Sequence, residues 1–158
     1  MLLVSACLAG LKVRYNGTDC LDDAIAELIG SGQAATVCPE LLGGFAVPRE
    51  PAEIQGGDGH DVLDGRAKVV TRSGEDVTAL YVKGAYETLR QAREAGAEVV
   101  VLKANSPSCG SGTIYDGTFA GVRVPGDGVT TALLARNGIR VLSEDELPVF
   151  LAGRVRAE

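Results

Sequence analysis

Three cysteines carry the most distinctive chemistry in this sequence. Cys7, Cys38 and Cys109 each stand among turn-forming residues, in Ser5-Ala-Cys7, Cys38-Pro39 and Pro107-Ser-Cys109-Gly110. A single cysteine is ordinarily a small buried hydrophobe, but three in matching surroundings point to a shared site. Thiolates are ligands for zinc and for iron–sulfur clusters. The chain has four cysteines and no C-x-x-C pair, so the spacing does not fit a zinc finger. It has one histidine, His60, too few for a His-based metal site. Three thiolates without an evident fourth ligand predict a centre with an open coordination position. A catalytic zinc ion keeps such a position, and so does a [4Fe–4S] cluster held by three cysteines. The residues alone leave both open. Cys20 stands beside Asp19 at the start of a helical pattern and is left out of the site.

Groups suited to acid–base work and ligand binding surround these thiols. Glu40 follows Cys38 by two residues and is the candidate general acid or base. The run Lys103-Ala-Asn-Ser-Pro-Ser-Cys109-Gly110 offers an amine, an amide, two hydroxyls and a thiol in one short loop. Lys103, Ser106 and Ser108 therefore join Glu40 as catalytic candidates. Ser5, Arg49, Asn105, Gly110 and Phe119 are candidate substrate contacts. Arg49 lies in a Pro-Arg-Glu-Pro segment suited to closing over a ligand, and Phe119 follows an Asp-Gly-Thr turn as a possible wall. Gly110-Ser-Gly-Thr113 has the makings of an anion nest but lacks the lysine and spacing of a P-loop, and reads better as a turn. His60 is expected to be a solvated loop residue.

A parallel sheet is the element that would bring such distant residues together. Leu2–Ala6, Ala34–Val37, Glu98–Leu102 and Ile139–Leu142 are short, apolar and rich in β-branched residues, the pattern of strands buried on both faces. Cys7 and Cys38 directly follow the first two, and Cys109 lies in the loop after the third. The carboxyl ends of strands form the ligand crevice of open parallel sheets. Helical periodicity fills the gaps: Leu21 to Ile29, with Asp19 as a possible cap; Val77 to Leu89 after Asp76, stopped by Gly96; and Val129 to Leu134 after Asp127, stopped by Gly138. Ser143-Glu-Asp-Glu146 reads as a capping box opening a short last helix. The alternation predicts one α/β domain over residues 1–158, a doubly wound, Rossmann-like fold with a mostly parallel sheet and helices on both faces. Residues 43–68, rich in Gly, Pro and Asp, read as a lid or binding loop, with a small extra strand at Ala67–Thr71.

Composition narrows the partner. The 158 residues are 46% hydrophobic and 23% charged, the balance of a globular domain. The net charge of −6 disfavours a protein that tracks nucleic-acid phosphates and suits a small ligand. No apolar run reaches the length of a membrane span, and MLLVSA lacks the basic flank of a signal peptide. A cytoplasmic protein is expected, in which reduced thiols serve metals or catalysis. Oligomeric state is not legible.

Several short motifs occur together in order: Val4-Ser-Ala-Cys7-Leu, Val37-Cys-Pro-Glu40, Gly43-Gly44, Pro48-Arg49, Asp76-Val-Thr78, Ser106-Pro-Ser-Cys-Gly110 and Ile114-Tyr-Asp-Gly-Thr-Phe119. Over nearly its whole length the chain resembles the thiouracil desulfidase (TudS-like) family. The resemblance implies a [4Fe–4S] cluster held by Cys7, Cys38 and Cys109, with one iron left to take the sulfur of a small thiolated nucleobase. The implied reaction turns 2-thiouracil or 4-thiouracil into uracil and sulfide without net redox change. Within it, Glu40 would activate water, Ser106 and Ser108 would hold water or substrate, and Lys103 would polarise a ring carbonyl. Read without the resemblance, the same residues also allow a zinc hydrolase, or a non-enzymatic iron–sulfur sensor or sulfur-handling protein.

Overall fold

The computed structural model describes residues 2–5, 23–32, 34–44 and 50–157. Its centre is a four-stranded sheet built from β1 (Leu2–Ser5), β2 (Ala34–Val37), β5 (Val99–Leu102) and β8 (Arg140–Ser143), in the order β2-β1-β5-β8. All three pairings are parallel. The four strand segments read from the sequence are these four strands, to within one or two residues at either end.

Side-chain alternation divides the core into two layers. Leu3, Val37 and Val100 point to one face, where they meet α4 (Thr78–Glu94) and α5 (Val129–Arg136). Leu2, Val4, Ala34 and Val101 point to the other, where they meet α1 (Asp23–Gly30) and α6 (Leu147–Ala157). The sheet is thus covered on both sides, as its unbroken apolar strands require. In α4 the buried residues Tyr81, Gly84, Ala85, Thr88, Leu89 and Ala92 recur every three or four positions, which confines them to one stripe facing the sheet. Gly96 and Gly138 end α4 and α5 through the same pair of bonds. In each case the next residue's N–H reaches back five positions, from Ala97 to Ala92 and from Ile139 to Leu134.

The chain leaves β1 for β2 on one side of the sheet and leaves β5 for β8 on the other. β1 and β5 are neighbours, so strand order reverses between them. A crevice opens at such a reversal, outside the carboxyl ends of the two strands.

Residues 50–71 differ from the lid expected there. They fold as β3 (Ala52–Gln55), α3 (Gly59–Leu63) and β4 (Lys68–Thr71), with β3 and β4 paired antiparallel. The strand expected at Ala67–Thr71 is β4. Ile54, Val62 and Val69 are buried in the same layer as Tyr81 and Ile114, so this segment is part of the core. Its Gly and Asp residues serve local structure: Asp58 accepts the backbone N–H of His60 and Asp61, and Asp61 accepts that of Asp58, a capping box for α3. A second hairpin, β6 (Thr113–Tyr115) with β7 (Arg123–Pro125), was not legible in the sequence because each strand is only three residues long. The Ser143–Glu146 box also forms differently. Glu146 Oε1 accepts the N–H of Ser143 at 3.0 Å, but Ser143 ends β8 and the helix begins at Leu147, so the box closes the turn ahead of α6.

Candidate metal centre

Two of the three candidate thiols fall among the described residues. Cys38 is half-buried and directly follows Val37, the last residue of β2. The chain then turns at once into α2 (Pro39–Leu42), where Leu42 N–H donates to the Cys38 carbonyl at 3.1 Å and Gly43 N–H to the Pro39 carbonyl at 3.0 Å. Gly84 of α4 backs this turn. A Cβ at Gly84 would collide with the Pro39 carbonyl oxygen and approach Gly43 N to 3.2 Å. The backbone that presents Cys38 and Glu40 is therefore seated directly on α4. Cys7 lies outside the described residues, two positions beyond Ser5, the last residue of β1.

Cys109 is 3% exposed and stands in the loop beyond β5. Its N–H donates to Ser106 Oγ at 2.7 Å, and Gly110 N–H donates to the Ser106 carbonyl at 2.9 Å. The loop's own carbonyls accept from the start of α5. Val129 N–H donates to Pro107, Thr130 N–H to Ser108 and Gly128 N–H to Gly110, at 2.8 to 2.9 Å. Thr131 Oγ1 donates to the Cys109 carbonyl at 3.0 Å, and Ser108 Oγ pairs with Thr130 Oγ1 at 2.8 Å. The first turn of α5, whose N–H groups have no partners within the helix, thus uses the cysteine loop as its cap.

Close packing enforces this seat. A Cβ at Gly128 would lie 2.5 Å from the Ser108 carbonyl and 2.8 Å from Cys109 N. Gly128→Ala is therefore expected to push the Cys109 loop off α5 and to lower stability by about 1–3 kcal/mol, the range for overpacking a tight contact. The midpoint of chemical unfolding measures this, and an unchanged midpoint would mean that the loop gives way freely.

The other candidates divide by position. Ser5 ends β1, is buried, and pairs in register with Val37. Lys103, Asn105, Ser106, Ser108 and Gly110 share the loop of Cys109, as their sequence proximity requires. Lys103 Nζ is held by Glu144 Oε1 at 2.8 Å, and Glu144 Oε2 also accepts Ala104 N–H at 2.9 Å. Asn105 adopts φ 72°, a left-handed conformation that Asn tolerates better than most residues. The hydroxyl of Ser108 points to Thr130, and Ser108 is 1% exposed, so it faces the interior. Phe119 lies at the turn between β6 and β7 with φ 59°. That turn is tied to β3: Glu53 Oε1 accepts the N–H groups of Gly117 and Phe119 at 3.0 and 3.2 Å, while Arg72 covers the ring at 5.8 Å. Arg49 and Cys20 lie outside the described residues. Among the described residues no three His, Cys, Asp or Glu side chains are grouped as a metal site.

His60 keeps the solvent exposure expected of it, with its side chain 37% exposed, but it is not a loop residue. It lies in α3, where Arg136 Nε donates to Nδ1 at 3.1 Å and Nε2 faces Asp127 Oδ2 at 3.3 Å. Arg136 also grips Asp64 through both terminal nitrogens, and that hydrogen bond holds the Asp64 carboxyl below its ordinary pKa. In the sequence Asp127 reads only as a helix start and Glu144 only as part of a cap. Nothing in their spacing signals a partner more than fifteen positions away.

The sequence model of the 2-thiouracil desulfurase family matches residues 2–146. The chain belongs to the 2-thiouracil desulfurase family. Within reach of this family it is similar to YbbK of Bacillus subtilis (strain 168), a protein described as uncharacterized, with 58% identity over 147 residues covering 93% of this chain and 97% of that one. Among solved structures it is similar to a [4Fe-4S]-dependent thiouracil desulfidase, TudS, with a TM-score of 0.85 and 44% identity over 98% of this chain and 97% of the other. That structure shares the architecture described above. Among the described residues no helix is long and apolar enough to cross a membrane.

Proposed function

We propose that this member of the desulfurase family is a desulfidase that removes sulfur from a small thiolated nucleobase such as 2-thiouracil or 4-thiouracil, using a [4Fe–4S] cluster held by Cys7, Cys38 and Cys109. One observation carries the reading. Cys38 and Cys109 follow the carboxyl ends of β2 and β5, the two strands that flank β1, and β1 leads to Cys7. The donor set suits the group, because soft thiolates on separate loops are ligands for iron–sulfur clusters. TudS, similar over almost the whole chain, is a [4Fe-4S]-dependent enzyme. When bound, such a cluster supplies an iron that accepts the substrate's sulfur.

The chain's own residues do the rest. Glu40, two residues beyond Cys38 in α2, takes a proton from the attacking water. The water's oxygen bonds to the thiocarbonyl carbon, the C–S bond breaks, and sulfur leaves as sulfide. Neither carbon nor sulfur changes oxidation state overall, so no electron donor is needed. Lys103, oriented by Glu144, and Asn105 sit in the Cys109 loop where a polar ring could be held. Ser5, Arg49, Gly110 and Phe119 are the further proposed contacts. Ser106 acts by fixing the turn at Cys109, and Ser108 by fastening the loop to α5. The protein works as one domain in the cytoplasm, on a free base and not on nucleic acid, in keeping with its net charge of −6.

Anaerobic reconstitution with iron and sulfide tests the proposal. A brown protein absorbing near about 400 nm, releasing sulfide and uracil from thiouracil in equal amounts, is the expected result. A colourless protein with one zinc per chain and no sulfide release would replace it with the zinc-hydrolase reading.

A further inference from the structure

Outside the cysteines and their loop, the densest polar network joins α3, α5 and the segment after Cys109. All four polar groups of Asp127 are engaged in it. Its N–H donates to Asp58 Oδ2 at 3.3 Å, and its carbonyl accepts Gly59 N–H at 2.6 Å. Its Oδ1 accepts Gly112 N–H at 2.8 Å, and its Oδ2 faces His60 Nε2 at 3.3 Å. Arg136 Nε can only donate, so His60 Nδ1 is the acceptor and Nε2 carries the proton toward Asp127. The direction of every bond from Arg136 through His60 to Asp127 and Gly112 is thereby set.

Gly112 is three residues beyond Cys109, and its carbonyl is held as well, by Gly126 N–H at 3.1 Å. The residues after Cys109 thus hang from the 126–128 segment through backbone bonds and one charge-assisted bond to the Asp127 carboxylate. Hydrogen bonds to an ionised acceptor are stronger than neutral ones. Asp127 and His60 are also accessible, with side chains 29% and 37% exposed, so replacing them leaves the apolar core intact.

We propose that Asp127 is a positioning residue for the Cys109 loop, oriented by His60, and that it keeps the thiolate in the geometry needed to hold the cluster. This role rests on the reading of Cys109 as a cluster ligand. Asp127 acts on the loop through its bond to Gly112 N–H.

Amide hydrogen exchange and electron paramagnetic resonance on the anaerobically reconstituted full-length protein test it. In Asp127→Ala, exchange across residues 110–113 should rise by about ten-fold, the size of one charge-assisted hydrogen bond. The resonance of the reduced cluster should change shape, and chelator should remove the cluster about ten-fold faster, for the same reason. Asp127→Asn keeps an oxygen that can accept Gly112 N–H but gives up the charge and turns an amide N–H toward His60 Nε2–H, so it should restore only part of all three. His60→Gln should fall between. Wild-type exchange and resonance in Asp127→Ala would overturn the proposal. So would exchange that rises equally in α4 and β8, since that marks general destabilisation. A wild-type chain that takes up no cluster would instead sink the desulfidase reading, while the exchange comparison would still decide whether Asp127 holds the loop.

Discussion

Replacing Cys109 or Cys38 by serine is expected to remove the cluster and, with it, all sulfide release. Serine is close in size to cysteine, but its hydroxyl stays protonated near neutral pH and is a poor ligand for iron. The backbone at both sites is held independently of the sulfur. At Cys109 the N–H and carbonyl are bound by Ser106 and Thr131, and at Cys38 the carbonyl is bound by Leu42 N–H. The variants should therefore fold, with unfolding free energies of the cluster-free chains within about 1 kcal/mol of the cluster-free wild type. The measurement is absorbance near about 400 nm and iron content after anaerobic reconstitution. Cys20→Ser, the control, should keep both. A serine variant at position 38 or 109 that retained full iron and colour would remove that cysteine from the ligand set.

Glu40→Gln should separate chemistry from assembly. The amide keeps the size of the side chain but cannot take a proton from water, and loss of a general base costs about 10²–10⁴-fold in turnover. Iron content, colour and substrate binding should stay at wild-type levels. Turnover within a factor of about three of wild type would remove Glu40 from the mechanism and direct attention to other groups near the thiols.

Both predictions concern residues whose importance was readable from type and order. Their neighbours show where such reading stops. Ser108 and Ser106 looked alike as hydroxyls beside a thiol. In the folded chain Ser106 turns back to cap Cys109 N–H within its own turn, while Ser108 turns inward to Thr130, a choice that depends on α5, which begins some twenty residues later. Lys103 reads in the sequence as a group to polarise a ring carbonyl, and Glu144, directly after the neighbouring strand β8, holds its amine. The Gly- and Asp-rich stretch before β4 had the composition of a loop. Gly59 instead admits a close backbone approach to Gly128, and the aspartates of the stretch cap α3. Composition cannot distinguish a glycine that frees the chain from one that lets two backbones touch.

The sequence by itself determined the parallel α/β architecture, because unbroken apolar strands and 3.6-residue helical stripes are local patterns. It also determined which thiols lie beyond strand ends, because that needs only strand boundaries. Only the tertiary structure decided the strand order β2-β1-β5-β8, which places Cys38 and Cys109 on either side of the strand leading to Cys7. Strand order depends on which crossovers pack best against the sheet, a property of the whole core that no local pattern encodes. The tertiary structure alone also decided that the Cys109 loop is held by α5, Asp127 and His60. Those bonds join segments up to 76 positions apart, and they form only once the core has brought the segments together.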